Sequence, residues 1–151
     1  MITTGQGLAK RITRLLLVGC LCSGLLTGLA KPWKRHTIDS SSKAAGKLGA
    51  DGVRLTDVNG DGLLDITTGW EQGGAIVVYR NPGMARVRAA WPSVTVGRVV
   101  SPEDAVFADL DSDGNLDVVS SCEGSARTMY IHWAPAKRGH YWKPSEWKTD
   151  A

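Results

Sequence analysis

Apolar and polar residues alternate over short stretches of the chain from about residue 50 onward, with a period of two that is typical of β-strands. The predicted strands of two successive units are residues 53–56, 64–68, 75–79 and 91–96, and then 105–108, 116–120, 128–132 and 147–149. Gly-rich turns separate them, and the chain holds 18 Gly but a single Phe. This pattern predicts an all-β protein.

The two units are repeats of one another. Residues 51–71 align without gaps on residues 103–123, so that Asp57 recurs as Asp109 at an offset of 52 residues. The recurring residues are Asp57, Asp61, Gly62, Leu64, Asp65 and Glu71, and their partners are Asp109, Asp113, Gly114, Leu116, Asp117 and Glu123. Four short strands in a unit of about 50 residues predict one blade of a β-propeller.

An acidic loop joins the first two strands of each unit. It places oxygen-bearing residues at positions 1, 3, 5 and 9, a Gly at position 6, and a backbone carbonyl at position 7. The predicted metal ligands are Asp57, Asn59, Asp61, Leu63 and Asp65 in the first loop and Asp109, Asp111, Asp113, Asn115 and Asp117 in the second. Because the donors are all oxygens, without Cys or His, Ca²⁺ is the expected cation.

EF-hands and solvated Asp-Gly turns share features with these loops. An EF-hand needs flanking helices and an acidic residue at position 12, but position 12 is Thr68 or Ser120 and the flanks are β-rich. Solvated Asp-Gly turns are common in β-proteins. Two loops in register, each between strands, favour metal binding over such turns.

The acidic loops and their flanking strands resemble FG-GAP/VCBS repeats over about residues 50 to 135. The resemblance implies blades of an integrin-α-like, seven-bladed propeller in which each loop holds Ca²⁺. The Phe-Gly and Gly-Ala-Pro signatures of that family are not recognisable, so the chain is more similar to the VCBS repeats of exported bacterial proteins. The resemblance also implies a role in interaction or adhesion, without specifying a ligand.

The expected domain organisation begins with a signal peptide at residues 1–30, in which a basic stretch precedes an apolar run too short to span a membrane. Lipidation at Cys20 is the alternative. Residues 31–49 are expected to be the outer strand of a preceding blade (residues 33–38) and a linker. Residues 50–100 are expected to form the first repeat and residues 101–151 a truncated second repeat.

Export changes the interpretation of charge and cysteine. The whole chain carries a net charge of +3, which the three cations of the predicted signal peptide account for. A near-neutral mature chain gives no reason to expect nucleic-acid binding. Of the three cysteines only Cys122 would remain, without an internal disulfide partner. The chain is therefore expected to be secreted, periplasmic or attached to the cell envelope, with no transmembrane helix after cleavage.

No nucleophile with an adjacent base is recognisable in residues 31–151, so the expected function is a non-catalytic interaction or adhesion scaffold for an unknown protein or glycan, in contact with further blades. The alternative is the N-terminal accessory part of a secreted hydrolase or lyase. His36, His132 and His140 fit no triad or zinc pattern. Packing between blades is the favoured role of the tryptophans, with a carbohydrate-stacking surface as the alternative: Trp70, Trp91, Trp133, Trp142 and Trp147.

Overall fold

The computed structural model of the protein describes residues 33–151, so the predicted signal peptide and the alternative lipidation at Cys20 lie outside the described residues. The strands are β1 (Ala50–Thr56), β2 (Asp65–Trp70), β3 (Ala75–Tyr79), β4 (Ser93–Arg98), β5 (Pro102–Ala108), β6 (Asp117–Cys122), β7 (Thr128–Trp133) and β8 (Lys148–Asp150). They form two four-stranded antiparallel sheets in sequence order, which we call blade 1 (β1–β4) and blade 2 (β5–β8). This arrangement confirms the prediction of an all-β fold with two four-stranded blades.

The strand register shows where the repeat gains a residue. Ile66 of β2 pairs with Tyr79 of β3, whereas Val118 of β6 pairs with His132 of β7. The offset between the two blades is therefore 52 residues through the second strand and 53 in the third. His132 consequently occupies the position in blade 2 that Tyr79 occupies in blade 1.

The main hydrophobic core lies between the two blades. Alternate residues of a strand face opposite sides of its sheet, and the apolar side chains on the facing sides of the two blades pack together. Ile76 and Val78 of β3 point toward blade 2, where they belong to one buried cluster with Ala105 and Val118. All four side chains are fully buried. An ion pair between Arg54 of β1 and Asp104 of β5 adds a polar contact between the same blades.

The other face of blade 1 carries a second apolar cluster, which includes Trp70, Val77 and Tyr79. The segment before β1 contacts this blade: Lys47 lies 5.6 Å from the Tyr79 ring centroid, and the Trp91 backbone N–H donates to the Ile38 carbonyl at 2.8 Å. A preceding outer strand was expected at residues 33–38, but the structure forms no strand there. The segment instead turns back on itself through a single bridge between residues 42 and 47.

The connection between β7 and β8 is the longest in blade 2 and contains two short 3-10 helices, Arg138–His140 and Pro144–Glu146. It packs through two buried aromatic residues. The Tyr141 hydroxyl donates to the Leu116 carbonyl at 2.9 Å, and the Trp147 indole N–H donates to the Tyr141 carbonyl at 2.8 Å. Across residues 33–151, no helix is long and apolar enough to cross a membrane.

Gly97 of β4 is expected to tolerate no side chain. A Cβ atom there would lie 2.1 Å from Nδ1 of His132, whose ring is fully buried and held on both sides. Gly97→Ala should therefore lower the free energy of unfolding by about 1–3 kcal/mol, as overpacked cores do. Urea denaturation of the two proteins measures this change.

Gly139→Ala is the matched control, because a Cβ at Gly139 would meet nothing within 4 Å. The cost of Gly97→Ala should also shrink in a His132→Ala background, since the clash would then lose its partner. Equal costs in both backgrounds would show that the His132 ring is not what excludes a side chain at position 97.

Candidate metal centre

Both acidic loops lie at the same end of their blades, between the first strand and the second. Asp57 directly follows β1 and Asp109 directly follows β5. Gly62 and Gly114, at position 6 of the loops, have φ angles of +82° and +83°. This left-handed conformation is strained for residues with a Cβ, which explains why both loops place Gly at the bend.

The first loop is organised around the carboxylate of Asp57, which accepts three backbone hydrogen bonds. Its Oδ1 accepts from the N–H groups of Gly60 at 2.8 Å and Asp61 at 3.1 Å, and its Oδ2 accepts from Gly62 at 2.8 Å. These donors, Gly62 above all, hold the pKa of Asp57 below its ordinary value. Asp57 therefore stays ionised and available as an anionic ligand.

The second loop brings three carboxylates together. Asp109, Asp111 and Asp113 each offer an oxygen, and these oxygens lie within 4.8 Å of one another. The loop is held by backbone donors: Gly114 N–H to Asp109 Oδ2 at 3.2 Å, and Asn115 N–H to Asp113 Oδ1 at 2.8 Å. All three carboxylates are exposed, so water screens part of their mutual repulsion, and a cation between them would offset the rest.

Asp65 and Asp117, at position 9, are buried at the base of the loops, and each spends both oxygens on backbone donors. Asp65 accepts from Val58 at 3.1 Å and from Asn81 at 2.7 Å. Asp117 accepts from Leu110 at 3.1 Å and from Ala134 at 2.8 Å. Each carboxylate thus ties its loop to the end of the third strand.

Burial raises the pKa of both Asp65 and Asp117, and the neighbouring loop carboxylates act in the same direction. Sequence spacing predicted these two residues only as ligands and gave no sign of their structural role. A carboxylate oxygen has two lone pairs, so a hydrogen bond does not remove it from a cation's reach. Their assignment as ligands remains a prediction.

The donor set fits a hard cation. Around each loop the available groups are carboxylate, amide and backbone carbonyl oxygens, which suit Ca²⁺ with its six to eight oxygen ligands. In the first loop, the side chains of Asn59 and Asp61 are within hydrogen-bond distance at 2.9 Å. Asn115 is buried, whereas its counterpart Leu63 is half-buried. The predicted ligands at positions 1, 3 and 5 therefore lie around one centre in the second loop and close together in the first.

A further group of carboxylates lies at the opposite end of the blades, where β1 and β5 begin. Asp51, Glu71 and Glu103 place oxygens within 4.8 Å of one another. The pKa of Glu103 is raised, first by desolvation and then by the charges of Glu123 and Asp51. The repeated Glu71 and Glu123 also share a turn geometry, because their backbone N–H groups donate to the equivalent carbonyls of residues 49 and 101.

Removing one charge from this carboxylate group should stabilise the protein. We expect Glu103→Gln to raise the Tm by a few degrees at low ionic strength, because like charges repel in the folded state. The gain should vanish at about 1 M salt, where the screening length falls to about 3 Å. Thermal melts at two salt concentrations measure the effect. Glu146→Gln, outside the group, is the control, and a lower Tm for Glu103→Gln would contradict the repulsion.

The structure also pairs a serine with a histidine that sequence reasoning did not connect. Ser120 Oγ lies 2.9 Å from Nε2 of His132, and Nδ1 of His132 lies 2.9 Å from Oγ1 of Thr149. Ser120 and His132 are fully buried, so no substrate reaches them in this conformation. Burial lowers the pKa of His132 to about 4, which keeps the ring neutral.

The other sequence candidates have ordinary surroundings or line a cleft. Trp70 and Trp147 are buried. Trp147 belongs to the cluster between the blades, whereas Trp70 packs within blade 1, where its indole N–H donates to the Tyr79 hydroxyl at 3.0 Å. His140 lies 3.6 Å from Glu146 on the surface. Unlike the two buried tryptophans, Trp133 lines a cleft of about 560 Å³ beside the second acidic loop.

Comparison with known proteins identifies a repeat family. A family model described as an FG-GAP-like repeat matches residues 38–120, which is more than half of the chain. The matched range contains blade 1, both acidic loops, strand β5 and the first part of β6. No curated protein and no solved structure matches the chain.

Proposed function

Since the chain belongs to the FG-GAP-like repeat family, we propose that it is an exported, calcium-binding repeat module of the β-propeller type that acts as a non-catalytic interaction scaffold. The observation that carries this proposal is the second loop, where the three carboxylates of Asp109, Asp111 and Asp113 converge within 4.8 Å. The equivalent loop of blade 1 supports it, because a chance acidic turn has no reason to recur in register.

In this proposal each loop holds one Ca²⁺. The ligands in the first loop are Asp57, Asn59, Asp61, the carbonyl of Leu63 and Asp65; those in the second are Asp109, Asp111, Asp113, the carbonyl of Asn115 and Asp117. The cation offsets the repulsion among the carboxylates and holds the loop in one conformation. Because the second loop carries one more carboxylate, it binds Ca²⁺ more tightly than the first.

The rigid loops then present a fixed surface to a partner. Function in repeat folds resides in loops held by a rigid scaffold, and here the two loops lie at the same end of adjacent blades. The non-catalytic part of the proposal is supported by the burial of Ser120 and His132, the serine–histidine pair described above. The export part is supported by the basic and apolar residues of the N-terminal segment.

Calorimetric titration of the full chain with Ca²⁺ after chelator treatment tests the proposal. We expect two binding events of different affinity, with Mg²⁺ binding much more weakly because it needs a tighter octahedral site. Circular dichroism with and without chelator should show that Ca²⁺ raises the Tm. A folded chain that takes up no Ca²⁺ would contradict both metal sites. A single binding event would contradict the assignment of a site to one of the two loops.

A further inference from the structure

The cleft of about 560 Å³ in blade 2 lies directly beside the second acidic loop. Its wall is the chain that leaves β7, residues 134–136, and its aromatic side chain is Trp133. The remaining charged or titratable lining residues are Asp111, Lys137, His140, Glu146 and Lys148. This volume lies within the range of small-molecule sites, which is roughly 300–1,000 Å³.

A smaller cleft of about 270 Å³ occupies the equivalent place in blade 1. With the offset of 53 residues in the third strand, Pro82 corresponds to Pro135 and Arg80 to Trp133, and these residues line their respective clefts. The cleft is therefore a property of the blade, but its chemistry differs. Blade 1 offers Arg80, Arg86 and the carboxylate of Asp61 but no aromatic side chain, whereas blade 2 offers an indole with charges of both signs.

The lining of the blade 2 cleft selects for a neutral polar ligand with an apolar face. The lining carries carboxylates from Asp111 and Glu146 and ammonium groups from Lys137 and Lys148, so it offers hydrogen-bond acceptors and donors side by side. The Trp133 indole N–H donates to Asp150 Oδ2 at 2.8 Å, which holds the ring in place before any ligand arrives.

A saccharide has this chemistry. Its C–H faces pack against an aromatic ring, while its hydroxyl groups both donate to carboxylates and accept from ammonium groups. We infer that the blade 2 cleft binds a neutral saccharide through Trp133, and that a cation in the second loop tightens this binding. The first part depends only on the cleft; the second rests on the calcium-binding function proposed above.

The structural link between the loop and the cleft is Asn115. Its side-chain amide donates to Asp113 Oδ2 at 3.2 Å and to the carbonyl of Ala136 at 3.1 Å, and the residue is only 5% exposed. Asp111 belongs both to the loop carboxylates and to the cleft lining. A cation that orders the loop therefore also orders the cleft wall.

The test is a titration of the full chain with the neutral trisaccharides maltotriose, cellotriose and triacetylchitotriose. Calorimetry and saturation-transfer NMR detect binding, and each titration is done once with Ca²⁺ and once with chelator. We expect saturable binding to at least one of them, stronger with Ca²⁺. Trp133→Ala should weaken it by roughly tenfold or more. Arg86→Ala, in the blade 1 cleft, should leave it unchanged. Asn115→Leu, which introduces the blade 1 residue, should remove the calcium dependence while the loop still binds Ca²⁺.

The outcomes separate the inference from the proposed function. Normal Ca²⁺ binding without a response to any trisaccharide would overturn the saccharide site and leave the calcium module intact. A response to triglycine in place of the saccharides would assign the cleft to peptides and would also overturn it. Saccharide binding that is equal in Ca²⁺ and in chelator would overturn the coupling. Failure of the loops to bind Ca²⁺ would overturn the proposed function and the coupling, while the titration in chelator would still decide the cleft.

Discussion

Asp113→Ala is expected to lower the calcium affinity of the second loop by at least about 100-fold, because ligand charge sets the affinity of such sites. Asp113 sits at position 5, and its oxygens also accept from the backbone and side-chain N–H groups of Asn115 at 2.8 Å and 3.2 Å. The substitution therefore removes a proposed anionic ligand and the acceptor of both hydrogen bonds from Asn115. Calorimetric titration of the variant measures the loss.

Two variants control for this result. Ser112→Ala changes the same loop at position 4, where no ligand is expected, and should leave the affinity unchanged. Asp61→Ala makes the equivalent change in the first loop and should abolish only the weaker binding event. An Asp113→Ala protein that retains the full two-event titration would show that this carboxylate is not a ligand.

The stability of the protein is expected to fall in mild acid because of His132. Its pKa is about 4 in the folded protein, whereas an unfolded histidine has a pKa of 6.5. The unfolded chain therefore binds the proton more readily. Above pH 6.5 the histidine is neutral in both states, and its protonation does not lower the free energy of unfolding. As the pH falls from 6.5 to about 4, the free energy of unfolding decreases progressively, by about 3 kcal/mol in total. Urea denaturation across this range measures the slope.

His132→Gln is the control, because an amide can donate to one of Ser120 and Thr149 and accept from the other but does not titrate in this range. The difference in unfolding free energy between the two proteins isolates the histidine from the carboxylates. Glu103, Asp65 and Asp117 have raised pKa values, and such groups act in the opposite direction. Parallel pH profiles for the two proteins would contradict a buried neutral histidine.

Local pattern was sufficient to predict most of the strands. β3 was predicted with its observed bounds, because Gly-rich turns and Pro limit this run of β-branched residues. β4 begins at Ser93, two residues later than predicted, since Pro92 has no N–H to donate and the Trp91 N–H bonds to Ile38 instead. The extra residue before β7 is implied by the predicted third strands, 75–79 and 128–132, and the pairing of β7 with β6 confirms it.

The carboxylate group of Asp51, Glu71 and Glu103 illustrates what local pattern does not contain. Its members come from two blades and become neighbours only when β1 packs beside β5. The contact between Ser120 and His132 likewise depends on the register of β6 and β7, and its burial depends on Gly97 of the other blade. No spacing motif identifies either group, although both change the electrostatics of the fold.

The sequence by itself determined the all-β class, the two repeated units and the oxygen-rich loops, because these depend on residues close together along the chain. Only the tertiary structure decided that Asp65 and Asp117 support the loops from below and that Trp133 lines a cleft beside one of them. The physical reason is that burial and hydrogen-bond partners are set by strand register and by the packing of one blade on another. Repeats encode the blade, and packing between and within blades decides what each of its side chains can do.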